Sequence, residues 1–247
     1  MTQREKVFEL LRTLCTYVLV VCVGIVFLMP AMVLIVILPD SRRYDNRVLS
    51  WLIMMFFWSC TKILFMPIVV EGKENIPDKP VIIVANHQSV IDIVLVGSIF
   101  YNYPLIWFVL DYYAKKIAYG FFIKKMGIPV TRDDPHQAAR ALLRSIRFVT
   151  TGNHNLVIFP EGTRHVDGKV HDFFKGFAII AKRSQCPVVP VYMPYNYRVY
   201  PPYSFLAHRH EIVVVIGKPI YYEPDDTDET FAQKVYTWFL TEQNRYD

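Results

Sequence analysis

From Thr13 to Leu38 the chain runs for 26 residues without a charged side chain. About 20 apolar residues suffice to cross a bilayer as a helix, so this run is long enough to span. It does not read as a secretory signal, because it is too long and no small-x-small cleavage pattern follows it before Pro39. Pro30 lies inside the run and predicts a kink. A second apolar run, Val48 to Thr61, has 14 residues before Lys62 interrupts it, and Ile63 to Val70 continues. That length suits a segment lying in the interface or docked on its neighbour. Arg4, Lys6 and Arg12 flank one end of the first run and Arg42, Arg43 and Arg47 the other, which is awkward for a simple crossing. The pattern predicts a membrane-anchoring helical hairpin held mainly in one leaflet, with two spanning helices as the alternative. Residues 1–70 are assigned to this part and 71–247 to a globular domain.

The hydrophobic share is 53%, above the about 45–50% of ordinary soluble proteins, and the excess lies in the first 70 residues. The net charge of +5 fits a membrane surface or an anionic substrate, and beside a greasy N-terminus it points to lipid rather than nucleic acid. Cys15, Cys22, Cys60 and Cys186 form no C-x-x-C pair, so reduced thiols facing a reducing compartment are expected, not disulfides or a metal site.

Beyond Gly72, short apolar runs alternate with amphipathic ones. Val81–Ala85, Leu105–Leu110, Ile128–Val130, Leu156–Phe159, Val188–Tyr192 and Ile212–Ile216 read as strands. Ile91–Phe100 reads as a helix, and so does Asp111–Met126, with Gly127 as its C-cap. Asp134-Pro135 starts a helix that Gly152 closes, with Ala138, Leu142, Ile146 and Val149 on one face. Phe173–Arg183 and a last helix capped at Thr227-Asp228, with Phe231, Val235, Trp238 and Phe239 inward, complete the series. The alternation predicts an α/β domain with a mixed, largely parallel sheet flanked by helices.

Two strings carry the chemistry. Asn86-His87-Gln88-Ser89-Val90-Ile91-Asp92 follows a strand directly. His87 can accept a proton from an alcohol near neutral pH, and Asp92, brought back by a turn, would fix its tautomer and stabilise the imidazolium. Of the seven histidines only His87 has an aspartate five positions on. The nucleophile would be the substrate's own hydroxyl. The other string is Phe159-Pro160-Glu161-Gly162-Thr163-Arg164. Gly162 permits a tight backbone path, Arg164 offers a fork of donors for a phosphate and Thr163 adds a hydroxyl. Glu161 would accept hydrogen bonds from the alcohol part of a substrate or hold the arginine. Arg132 and Lys175 are further candidate phosphate ligands. There is no G-x-S-x-G elbow, no phosphate loop and no metal-ligand cluster, and His208-Arg209-His210 reads as surface.

With these strings the chain resembles the glycerolipid acyltransferase family, most nearly the 1-acyl-sn-glycerol-3-phosphate acyltransferases. The resemblance rests on N-H-x-x-x-x-D at Asn86 to Asp92, on Gly127 and Arg132, on F-P-E-G-T-R at Phe159 to Arg164, and on Val189-Pro190-Val191. The family's F-K-x-G departs here to Phe173-Phe174-Lys175-Gly176, which places the lysine one position late. The resemblance implies transfer of a fatty acyl group from acyl-CoA or acyl-carrier protein to the sn-2 hydroxyl of lysophosphatidate. It implies His87 and Asp92 as the catalytic pair, Arg132, Glu161, Gly162, Thr163, Arg164 and Lys175 around the glycerophosphate, and no cofactor or metal. It also implies a membrane-bound enzyme whose domain faces the cytoplasm. Another acceptor, such as glycerol 3-phosphate or another lysophospholipid, and a non-catalytic anionic-lipid-binding protein are the alternative readings.

Overall fold

The computed structural model of the chain describes residues 3–116, 120–131, 134–151 and 153–247. Helix α1 (Gln3–Val23) passes through a five-residue π segment (Gly24–Leu28) into α2 (Met29–Ile37). Together they form one 35-residue helix, the one helix among the described residues that is long and apolar enough to cross a membrane. At ~1.5 Å per residue it is about 50 Å long. Pro30 produces no sharp break. It stands at the start of α2, and the wider turn just before it, where the Met29 N–H reaches back to the Gly24 carbonyl, accommodates the donor that proline lacks.

The chain turns through α3 (Asp40–Arg43) and returns as α4 (Arg47–Ile63), capped by Asn46, whose side chain accepts from the Leu49 N–H at 2.9 Å. This is the expected hairpin. The domain follows as β1 (Ile68–Glu71), β2 (Ile82–Ala85), α5 (Ile91–Ile99), β3 (Leu105–Leu110), α6 (Asp111–Ala114), α7 (Gly120–Met126) and β4 (Gly127–Val130). It continues with α8 (Pro135–Thr151), β5 (Asn155–Ile158), α9 (Gly176–Ser184), β6 (Val188–Tyr192), α10 (Asn196–Val199), β7 (Ile212–Ile216) and α11 (Asp228–Tyr246).

The seven strands form one sheet in the order β1-β7-β6-β2-β5-β3-β4. Every pairing is parallel except that of β6 with β7. Alternate residues of the central strands fill two cores. Ile82, Val84, Leu156 and Ile158 meet Phe177, Phe231 and Phe239 on one face. Ile83, Val157, Val189 and Val214 meet Ile91, Leu95 and Val96 on the other. Burial on both faces explains why these strands read as unbroken apolar runs.

Four readings from sequence change. Ile68 to Val70, assigned to the membrane part, belong to β1 and pair with Ile212 to Val214 of β7. The predicted Asp111–Met126 helix is two short helices, and Gly127 opens β4 instead of capping. There the Gly127 Cα lies so close to the Ile123 carbonyl that a Cβ would sit 2.9 Å from it. The helix predicted from Phe173 starts at Gly176, since Phe173 is turned to the ring of Phe239 at 5.0 Å. His208 is not simply surface: its ring meets Glu9 of α1 at 3.2 Å. Gly152, expected to close α8, lies outside the described residues.

The hairpin is tied to the domain along one flank. The buried Arg43 spans from the Ile35 and Leu38 carbonyls (3.1 and 3.0 Å) to the Lys125 carbonyl (3.5 Å). Tyr44 donates to the same Lys125 carbonyl at 2.8 Å. Near the other end, Arg12 donates to the Ala207 carbonyl, and the hydroxyls of Tyr17 and Tyr200 meet at 2.6 Å. The opposite flank presents Val7, Leu11, Leu14, Val18, Val21, Ile25, Val33 and Val36, all exposed. Helix α4 rests on α5, where a Cβ on Gly97 would stand 2.4 to 2.8 Å from the Phe57 ring. Gly97→Val is therefore expected to destabilise by about 1–3 kcal/mol through overpacking, read as a lower melting temperature in detergent. Phe57→Ala should relieve it, so the double variant should be more stable than the two single losses summed; simple additivity would refute the contact.

Candidate active site

Strands β2 and β5 are parallel neighbours, with Ile82 beside Leu156 and Val84 beside Ile158. The two strings therefore leave the same edge of the sheet side by side, although the chain separates them by some seventy residues. The first holds its shape through Asn86, which accepts from the Met193 N–H (2.8 Å) and donates to the Met193 carbonyl (3.0 Å) beyond β6.

Asp92 stands in the first turn of α5 and is fully buried. Its Oδ2 accepts from the backbone N–H groups of Gln88 (2.6 Å) and Ser89 (2.8 Å) and lies 2.8 Å from His87 Nδ1. Its Oδ1 accepts from Asn196 Nδ2 at 2.7 Å. A carboxylate so surrounded is held in one orientation. It fixes a proton on His87 Nδ1 and leaves Nε2 as the basic atom. The imidazole stacks on Phe159 of the second string, centroids 4.1 Å apart at 16°. Ser89 is no rival nucleophile: its hydroxyl donates to the Tyr200 carbonyl at 2.7 Å.

The second string turns at Gly162, whose φ of 73° favours glycine. Arg164 Nε donates to His87 Nε2 at 3.3 Å. The Thr163 hydroxyl meets His165 Nε2 at 3.1 Å. Glu161 is buried beneath the site, where Oε2 accepts the His87 N–H (3.2 Å) and Oε1 the His171 N–H (3.5 Å). Burial pushes its carboxyl up to about 8, against the downward pull of these two N–H groups. Lys175, just before α9, turns its ammonium outward to Glu229 at 3.0 Å. Arg132 lies outside the described residues. Among the described residues no cluster of His, Cys, Asp and Glu could hold a metal ion.

A cavity of about 1110 Å³ opens beside His87 and Arg164. Its walls are mostly apolar: Trp107, Phe121, Phe122 and Met126 from the domain, then Leu28 and Met32 from the hairpin. His87 thus stands where a polar, cation-bearing mouth meets a greasy interior. Asn86 and Asn196, the two asparagines that brace the pair, escaped the sequence reading. Asn86 was seen only as a motif letter, and nothing near Asn196 marks it as lying against Asp92.

The unusual Glu161 has a consequence for stability. Between the ordinary 4.5 and about 8, the folded protein keeps a proton that the unfolded chain has released, so stability falls as pH rises through that window. Glu161→Gln should flatten the dependence of melting temperature on pH between these limits. Equal slopes in the two proteins would refute the assignment.

Residues 67–194 match the model of the family described as Acyltransferase. A chloroplastic 1-acyl-sn-glycerol-3-phosphate acyltransferase of Brassica napus is 35% identical over 156 residues, 62% of this chain and 44% of that protein. The 1-acyl-sn-glycerol-3-phosphate acyltransferase of Saccharomyces cerevisiae is 30% identical over 193 residues, 75% of this chain and 63% of that one. The chain spans about half the length of the plant relatives it matches. The crystal structure of the 1-acyl-sn-glycerophosphate acyltransferase PlsC from Thermotoga maritima agrees over 98% of both chains, with a TM-score of 0.77 and 26% identity. The match spans both strings and the strands that carry them, and the chain belongs to the acyltransferase family.

Proposed function

We propose that the chain transfers a fatty acyl group from a thioester, acyl-CoA or acyl-carrier protein, to the sn-2 hydroxyl of 1-acyl-glycerol 3-phosphate, forming phosphatidate. The observation that carries this reading is His87, bonded to buried Asp92 at 2.8 Å and set at the mouth of a large apolar cavity beside an arginine. The relatives named above, which are 1-acyl-sn-glycerol-3-phosphate acyltransferases, support it.

The acceptor hydroxyl gives its proton to His87 Nε2 as its oxygen attacks the thioester carbonyl. Asp92 stabilises the imidazolium. The C–S bond then breaks, and the thiolate leaves as a thiol with the proton from His87. No acyl-enzyme is formed. Arg164 and Thr163 bind the phosphate, with Arg132 as a further cation and Lys175 as another once it leaves Glu229. Gly162 gives the loop its path, and Glu161 holds the backbone of His87. No cofactor or metal takes part. The acyl chain lies among the apolar side chains of the cavity, which reaches the hairpin.

The hairpin keeps the site at the lipid surface. Its polar ties bind one flank to the domain, so the exposed apolar stripe lies along one leaflet instead of crossing it. The domain faces the cytoplasm, the reducing side that its free cysteines fit.

The test is purified protein given lysophosphatidate and acyl-CoA, with phosphatidate followed by mass spectrometry. His87→Ala should lower turnover on the order of 10²–10⁴-fold, and Asp92→Asn by up to about 10⁴-fold because the wrong tautomer is held. Near wild-type turnover in His87→Ala would overturn the reading. A panel with glycerol 3-phosphate and larger lysophospholipids fixes the acceptor.

A further inference from the structure

The one basic atom of the site is covered. His87 Nε2 must take the proton of the attacking hydroxyl, yet its lone pair receives the Arg164 Nε–H at 3.3 Å. Its tautomer is set by Asp92 on the other nitrogen, so no second basic position is available on the ring. Thr163 rests in the same way, its hydroxyl on His165 Nε2 at 3.1 Å. Arg164 and Thr163, two of the groups that would grip a phosphate, both rest on histidines.

We propose that Arg164 is a cap on the catalytic base, removed by the phosphate of the acceptor. The proposal rests on the acyl-transfer reading above and deepens it. A phosphomonoester offers the guanidinium two charge-assisted hydrogen bonds in place of one to a neutral ring. Arg164 swings to the anion, and Nε2 is bared at the moment a phosphorylated acceptor is in place. In the same position Arg164 passes over Tyr113, its guanidinium carbon 6.0 Å from the ring centroid. The cap makes the phosphate a condition of catalysis and not only of binding. It also protects the thioester: with no acceptor bound, water meets a histidine that cannot take its proton. Once the cap is off, water adds its oxygen to the thioester carbonyl and gives a proton to Nε2. The C–S bond breaks, and the leaving thiolate takes that proton, giving thiol and free fatty acid.

The experiment follows acyl-CoA hydrolysis in detergent micelles without an acceptor. The probe is a lysophosphatidate analogue that keeps its phosphate and acyl chain but lacks the sn-2 hydroxyl, so a water can occupy the vacant place. In the wild type the analogue should raise hydrolysis on the order of tenfold, a fraction of the general-base contribution. Arg164→Ala should hydrolyse faster than wild type with no analogue and should not respond to it, while its turnover with lysophosphatidate falls. A residue that only binds phosphate or only supports the fold would not give that gain. Reaction of His87 with diethyl pyrocarbonate, located by peptide mass spectrometry, should likewise be faster in Arg164→Ala. Wild-type hydrolysis that ignores the analogue, or an Arg164→Ala variant no faster than wild type, would overturn the cap. Phosphatidate formation by the wild type is measured in parallel. If it proceeds and depends on His87 while hydrolysis ignores the analogue, the cap falls and the acyl-transfer reading stands. If no phosphatidate forms, that reading falls first.

Discussion

The pairing of β2 with β5 in the middle of the sheet is the constraint on which the site depends. Neighbouring strands lie about 4.8 Å apart, and a parallel pair releases both chains at the same edge. The register that sets Val84 beside Ile158 thereby sets His87 beside Phe159 and Arg164. Slipping it would separate proton acceptor from guanidinium, however well each string kept its local shape. The burial of both strands on both faces makes such a slip costly, because every apolar side chain would change sides.

Below this edge the polar groups form one connected set. Asp92 gathers the backbone of Gln88 and Ser89, the His87 ring and Asn196, while Glu161 ties the His87 backbone to the loop at His171. A buried carboxylate with its partners satisfied rigidifies its surroundings, whereas one left partly unpaired is costly. The His87 ring therefore sits on a support that does not need to rearrange, while Arg164 and Thr163 at the rim are partly exposed.

The strands of the central sheet were legible because burial on both sides leaves continuous apolar runs, and α11 was legible because Thr227-Asp228 marks its start and Phe231, Val235 and Phe239 recur at helical spacing. The bond between His87 and Asp92 was legible because it closes within one turn. What escaped needed three dimensions. β1 is a four-residue strand at the sheet's edge with Val69 exposed, so it looks like the tail of the apolar run before it. The contact of Arg164 with His87 depends on strand order, which spacing along a chain does not encode. Glu161 reads as a polar loop residue, and only its enclosure makes it a buried acid. Lys175 has an ion-pair partner, Glu229, more than fifty residues away.

The polar ties of the hairpin also set an order of assembly. Arg43 and Tyr44 close on the carbonyl of Lys125, and Arg12 on that of Ala207. The carbonyls that hold the hairpin lie some eighty and two hundred residues further along the chain than the side chains that reach them. The hairpin therefore cannot complete its polar ties until the chain around β4 and the segment before β7 have reached their places, and its fixed position is a late product of folding.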